Sequence, residues 1–338
     1  MAATIKDIAR ETGLGLATIS SYLNGGNVRE KNREKIEKAI KELDFEINEM
    51  ARGLKTNRTK TIGVIIPELN SVFCAEVLTE VEDILRTHGY AMMICDCRSD
   101  AALEKEAFLF LAHRRVDGLI IMPAGTSGRY LKPFLKANKP IVLIDRKIEG
   151  IDCDSVLVDN HLAVEEATSK LIRAGHTKIG LIAGPEGIYT ADERTRGYEL
   201  ALRKAGLPVE QKLIVHGNYE IQGGVAAIQK LVKLNPAMTA VFVSNYEMTM
   251  GAVIGINELG LRMPEQISFI GFDNTEFARA TIPKLCIVEQ PTKQIAGEVA
   301  RIMLERVNQT EAFEPETVRL QTNYIEGNSI RVLTQGES

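Results

Sequence analysis

Short, continuously apolar runs rich in β-branched residues recur along most of this chain, separated by stretches with helical periodicity. The runs fall at 61–66, 91–95, 118–122, 141–145, 155–158, 178–183, 213–216, 240–244 and 267–272. A strand half-exposed to water alternates apolar and polar residues, whereas these do not. Unbroken apolar strands joined by amphipathic segments, such as those at 75–88 and 193–204, call for parallel sheets covered by helices on both faces. Nine such units are too many for one compact open sheet, so residues 61–338 are expected to form two α/β lobes. A ligand of such a body belongs in the cleft beyond the carboxyl ends of the strands.

The residues just past those ends carry chemistry. Asp145 follows PIVLI, Asn245 follows AVFVS and Asp273 follows FIGF. Arg194 lies in the segment after LIAGPEG, and Phe73 and Tyr219 occupy two other strand-end loops. Carboxylates, an amide and an arginine can divide a ring of hydroxyls between acceptors and donors, while aromatic rings cover a sugar's apolar face. Taken singly, an Asp or Asn there can cap the next helix and a Phe can pack in the core; the signal is their joint occurrence.

The first sixty residues differ in kind. They hold 12 Lys and Arg against 9 Asp and Glu, while the rest of the chain holds 29 against 36. A basic head on an acidic body is the asymmetry expected when only the head meets a polyanion. The stretch GLGLATISSYLNGG at 13–26 resembles a phosphate-binding loop, but a dinucleotide loop needs a preceding strand and the pattern G-x-G-x-x-G. Here Thr18 takes the third glycine's place and a helix precedes it. Thr4 and Asp7 form a variant capping box, Ile5, Ile8 and Ala9 make one apolar face, and Gly13 ends that helix. A second helix is expected from Leu16 to Leu23, with Ile19, Tyr22 and Leu23 inward, and a third from Arg29 to Leu43. This is a helix–turn–helix with a supporting helix. Its outward residues Leu16, Ala17, Thr18, Ser20 and Ser21 are small, uncharged and partly hydroxylated, as a major-groove surface requires.

The stretch at 48–56 is too short to be a stable helix alone, since isolated helices under about 12 residues are marginal in water. Gly53 weakens it by roughly another 0.5–1 kcal/mol. It should fold only against something, and Leu54 between Arg52 and Lys55 suits a wedge in a minor groove.

TIKDIA, ATIS-x-x-LN, IKELDF and ARGLKTNRTKTIGV, in that order, resemble the head of the lactose/galactose repressor (LacI/GalR) family of bacterial regulators. RAGHTKIGLIAGP and LGLRMPEQISFIGFDN extend the resemblance through the body. It implies a helix–turn–helix domain at 1–46, a hinge helix and linker at 47–60, and an effector-binding and dimerisation domain at 61–338. That domain would be periplasmic-binding-protein-like, its chain crossing between lobes near 160, 290 and 322. It further implies that the second helix reads the major groove while paired hinges open the operator centre with Leu54. The expected DNA contacts are Thr4, Leu16, Ala17, Thr18, Ser20, Ser21, Asn24, Arg52, Leu54 and Lys55. The family's ligand positions fall on Phe73, Asp145, Arg194, Tyr219, Asn245 and Asp273. Three departures stand out. Gly15 replaces a serine, Ser21 an arginine able to read guanine, and Tyr246 the aspartate that commonly follows Asn245. Ile188 stands where the purine-binding member has arginine, which argues against a purine.

The expected function is therefore a homodimeric transcriptional regulator, a repressor, on a pseudo-palindromic double-stranded operator. Its effector is expected to be a small molecule, a sugar or sugar derivative. A regulator of the same fold controlled by a phosphorylated carrier protein or a corepressor is the alternative. No P-loop, G-x-S-x-G or H-E-x-x-H motif occurs, and Glu165 and Glu166 point apart on a helix, so no catalytic residues are expected. The five cysteines and five histidines lack metal-ligand spacing, and neither metal nor cofactor is expected. The opening MAATIKDIAR lacks an apolar signal core, and no apolar run is long enough for a membrane span. The protein is expected in the bacterial cytoplasm, with the nucleoid.

Overall fold

The computed structural model describes residues 3–23, 26–45, 58–273, 275–309 and 314–334. The chain divides into two compact units, Met1–Thr59 and Lys60–Ser338. The hinge helix expected over 48–56 lies outside the described residues.

In the first unit, α1 (Ile5–Thr12) and α2 (Leu16–Leu23) are joined by a turn at Gly13, and α3 (Glu30–Glu42) follows. Gly13 adopts φ +66°, where a side chain would be strained, and its N–H closes the helix on the Ala9 carbonyl at 3.0 Å. Ile8, Ile19 and Ile36, one from each helix, are fully buried and meet Ala39. Each such burial contributes roughly 1.5–3 kcal/mol, so three isoleucines supply most of what holds this small unit together. The Tyr22 hydroxyl donates to a Glu37 carboxylate oxygen at 2.9 Å, fixing α2 on α3.

The second unit contains two six-stranded sheets. The first comprises β1 (Thr61–Ile66), β2 (Ala91–Asp96), β3 (Gly118–Ile121), β4 (Ile141–Ile144), β5 (Asp154–Val158) and β11 (Thr317–Leu320), in the order β11-β5-β4-β3-β1-β2. All its pairings are parallel. The second comprises β6 (Ile179–Ala183), β7 (Ile214–His216), β8 (Ala240–Val243), β9 (Ser268–Phe272), β10 (Cys286–Glu289) and β12 (Asn323–Ile325), in the order β12-β10-β9-β8-β6-β7. Here β12 alone runs antiparallel, beside β10. The nine apolar runs all became strands. The strands beyond them each lack a long apolar signature. β10 is only Cys286–Glu289, β11 alternates exposed with half-buried residues as an edge strand does, and β12 has three residues.

Helices α4 (Val72–Thr87), α5 (Ala101–His113) and α6 (Lys132–Lys136) belong to the first lobe. The second carries α7 (Asn160–Arg173), α8 (Tyr189–Lys204), α9 (Ile221–Leu234), α10 (Tyr246–Glu258) and α11 (Thr275–Ala280). After β10 the chain returns to the first lobe, where α12 (Thr292–Asn308) packs Ile295, Val299 and Ile302 against Val77 and Val81 of α4. It therefore passes between lobes beyond Asp159, at Gln290, and between β11 and β12. No described helix is long and apolar enough to cross a membrane.

One buried ion pair knits the first lobe's late elements together. Asp154, fully buried on β5, accepts from Arg306 Nε and Nη2 of α12, both at 3.0 Å, and from the Glu316 N–H at 2.9 Å. Removing one member of such a pair leaves the other charge uncompensated in a low dielectric, at a cost of about 3–5 kcal/mol. Asp154→Ala is accordingly expected to destabilise the body by about 3 kcal/mol in denaturant unfolding. A loss below about 1 kcal/mol would remove this pair from the account of how α12 is held.

Candidate effector cleft and nucleic-acid interface

The cleft is built the same way in both lobes. Asp145 follows β4 with φ +67°, and its N–H donates to the Val156 carbonyl at 3.0 Å. Asp273 follows β9 with φ +60°, and its N–H donates to the Val288 carbonyl at 2.7 Å. In each lobe, then, a left-handed aspartate bends the chain off the end of its strand while its N–H stays on the neighbouring strand. Tyr219 is left-handed too, at φ +64°. Left-handed backbone costs a non-glycine residue about 1 kcal/mol or more.

Arg194 is 4% exposed. Its Nε donates to Asn160 Oδ1 at 2.7 Å, its Nη1 donates to the Ser244 carbonyl, and its guanidinium lies 3.8 Å from the centroid of the Phe272 ring. It sits in the second turn of α8, because that helix begins at Tyr189 rather than at the anticipated 193. Asp273 accepts the Gln290 N–H on Oδ1 at 3.1 Å and Gln290 Nε2 on Oδ2 at 2.9 Å. Burial pushes the Asp273 carboxyl up to about 7, with Asp145 adding to the rise, although Arg194 and both Gln290 bonds pull it down. Asp145 of the first lobe and Arg194 of the second thus both bear on Asp273.

The remaining anticipated ligand residues are placed differently. Asn245 caps α10: its Oδ1 accepts the Met248 N–H at 3.1 Å and its Nδ2 donates to Glu247 Oε2 at 2.6 Å. Both ends of its amide are therefore engaged within the chain. Burial raises the Glu247 carboxyl above the usual range, against the opposing pull of Ser71 and Val72 of the first lobe. Tyr219 packs on the second lobe's core, its hydroxyl 3.4 Å from that of Thr190. Gly184 makes room for its ring, since any Cβ there would run into it. Phe73 lies in the first turn of α4 and, with Asp273, lines a cavity of about 360 Å³ between the lobes. Asp145, Arg194, Tyr219 and Asn245 do not line that cavity.

Four further residues emerge only in three dimensions. Among the described residues, ten buried side-chain polar atoms lack a hydrogen-bond partner. Half of them belong to this one region: Asp145 Oδ1, Arg146 Nε, Asn160 Nδ2, Ser244 Oγ and Gln290 Oε1. Buried polar atoms are nearly always paired, so such a cluster marks a place where something else supplies the partners. Arg146 and Ser244 adjoin residues already singled out. Asn160 and Gln290 carried no recognisable signal, because they lie where the chain passes between lobes.

On the first unit, Leu16 (48% exposed) and Ala17 present their side chains to solvent at the start of α2, while Thr18, Ser20 and Ser21 are half-buried. Ser21 lies against Gly26, whose N–H donates to the Ser21 carbonyl at 2.8 Å. Thr4 is committed to capping α1: its N–H and hydroxyl both donate to Asp7 Oδ2, at 2.9 and 2.6 Å. Those bonds hold the Asp7 carboxyl below its ordinary range. Asn24, Arg52, Leu54 and Lys55 lie outside the described residues. Among the described residues no cluster of three or more His, Cys, Asp or Glu could hold a metal ion.

A three-helix head and a two-lobed body with polar strand ends facing one cleft define the class of ligand-binding DNA regulators. Residues 4–48 match the model of bacterial regulatory proteins of the lacI family, and residues 59–328 match that of periplasmic binding proteins and the sugar-binding domain of the LacI family. The chain belongs to the LacI family. Catabolite control protein A of Priestia megaterium is 33% identical to it over 324 residues, spanning 95% of this chain and 97% of that protein. Among solved structures, a complex of the transcriptional regulator CelR with cellobiose is 29% identical, with a TM-score of 0.73, covering 97% of this chain and 99% of that one. The lac repressor dimer bound to operator and an anti-inducer, 23% identical, has the same fold, with a TM-score of 0.85 over 98% of this chain and 100% of that one.

The raised Asp273 carboxyl gives a signed expectation for stability. Below its unfolded value of 3.8 the group is protonated in both states and costs nothing. As pH climbs from there to about 7, the unfolded chain ionises first and the fold loses stability. Asp273→Asn removes that penalty, so the variant's stability relative to the parent should rise between pH 4 and pH 7.5 in denaturant unfolding. A difference that stays flat with pH would show that Asp273 ionises as easily folded as unfolded.

Proposed function

We propose that this protein is a homodimeric, sequence-specific repressor whose operator affinity is set by a small carbohydrate bound between the lobes. The observation that carries the ligand half is the group of unpartnered buried atoms at the strand ends: Asp145, Arg146, Asn160, Ser244 and Gln290. They offer donors and acceptors together, which suits hydroxyls, and they lie inside the body, where a carrier protein would not reach. The cellobiose held by CelR supports the carbohydrate class. No step of the proposal asks for catalysis, and the site of action is the chromosome in the bacterial cytoplasm.

The DNA half rests on the head and the connector. Leu16 and Ala17 present a small apolar surface that can meet thymine methyls in a major groove. A pseudo-palindromic operator requires a twofold partner. Apolar side chains exposed on the edge strand β2 and on α5, namely Ile94, Leu103, Leu109 and Phe110, are suited to covering by a second copy. The connector at 48–56 is the lever. If its ordering consumes a few kcal/mol, a small change in the lobes can shift DNA affinity by orders of magnitude.

Three outcomes check this reading. Leu54→Ala should weaken operator binding in a gel-shift titration by at least about tenfold, with effector affinity near the parent's, and an unchanged footprint would contradict the wedge. Asp273→Ala should lose the effector response yet bind operator normally without effector, and normal induction would remove Asp273 from the site. Operator affinity should also fall steeply with salt, about a thousandfold between 50 and 200 mM, as several phosphate contacts require.

A further inference from the structure

We propose that the effector carries a positive charge, most simply an ammonium group on a sugar, received by Glu76, Glu276 and Glu289 at one side of the cleft. This rests on the carbohydrate reading and narrows its ligand class. The cavity of about 360 Å³ is lined by Glu76 from the first lobe and by Glu276, Glu289 and Asp273 from the second. Four carboxylates face one lysine there, and Lys293 Nζ is drawn to Glu80, 3.6 Å away and outside the lining.

Two donors of the cavity wall are committed to its carboxylates: the Thr275 hydroxyl donates to Glu289, and Gln290 Nε2 donates to Asp273. Gln290, 4% exposed and lining the same cavity, keeps its Oε1 buried without a partner. Such an atom calls for a donor from outside the chain.

Charge points the same way. Burial, and then the proximity of Glu289 and Glu276, raise the Glu76 carboxyl above its ordinary range. A cation entering this corner relieves that repulsion, whereas a phosphate or carboxylate would add to it. Phe73 and Tyr246 line the cavity too, and aromatic faces favour an ammonium.

Calorimetry of the full-length protein with matched pairs tests this: glucose and glucosamine, galactose and galactosamine, cellobiose and its diamino counterpart chitosan disaccharide. At least one amine is expected to bind about tenfold or more tightly than its hydroxyl twin. The double variant Glu76→Gln, Glu276→Gln should erase that preference, bringing amine and hydroxyl twin to within about twofold of each other, while operator binding without sugar stays at the parent's value and reports an intact fold. Equal or tighter binding of the neutral sugars, or a preference that survives in the variant, overturns the charged-ligand proposal and leaves the carbohydrate reading standing. No heat from any sugar in either form, with operator affinity unmoved by all of them, overturns both.

Discussion

The Asp273 carboxyl, bonded to both nitrogens of Gln290 and acted on by the charge of Arg194, organises the body of this protein. Gln290 lies where the chain returns from the second lobe to the first. Arg194 in turn holds Asn160, which lies at the first passage between lobes. At the third, Asp159 donates its N–H to the Leu320 carbonyl at 3.1 Å and pairs with Arg319 at 3.6 Å. The polar groups of the cleft are therefore anchored to the connecting segments themselves. A ligand that changes the charge or hydrogen bonding of Asp273 acts directly on the hinges, with no intervening chain of contacts.

The same region carries local conformational costs. Asp145, Tyr219 and Asp273 hold left-handed backbone. Half of the described unpartnered buried atoms are also here. Such costs persist only when the surroundings over-determine them. Here the surroundings are two sheets whose central strands are buried on both faces, stiff supports on which a few unfavourable residues can be carried. Glu247, in the first turn of α10, occupies the Asn245 amide.

The head has no comparable reserve. Three isoleucines and an alanine form its buried core, and a single capping arrangement secures α1. The small size of this core is the physical reason why the proposed function places control of DNA affinity outside the reading helix.

The amino-acid order by itself determined the class of fold. Unbroken apolar runs marked the strands, and their number required two lobes, although the runs at 91–95 and 213–216 became edge strands with exposed residues instead of strands covered on both faces; Gly13 and Ile8 marked the first helix of the head, while Ile5, expected on the same apolar face, is exposed. These are local consequences of hydrophobicity and backbone freedom, so they survive without knowledge of long-range partners. The aspartates past β4 and β9 were legible for the same reason, since each is one step beyond an apolar run. What only the tertiary structure decided is how those groups are used. Asn245 has the composition of a ligand contact, yet it caps its own helix, because Met248 and Glu247 are its nearest partners once α10 forms. Gln290 and Asn160 gave no local signal, because their roles come from crossings that bring residues 273 and 290, or 160 and 194, together. The short edge strands β11 and β12 escaped notice as well: a strand with one neighbour and one wet side needs little apolar character, and only the completed sheet specifies where it pairs.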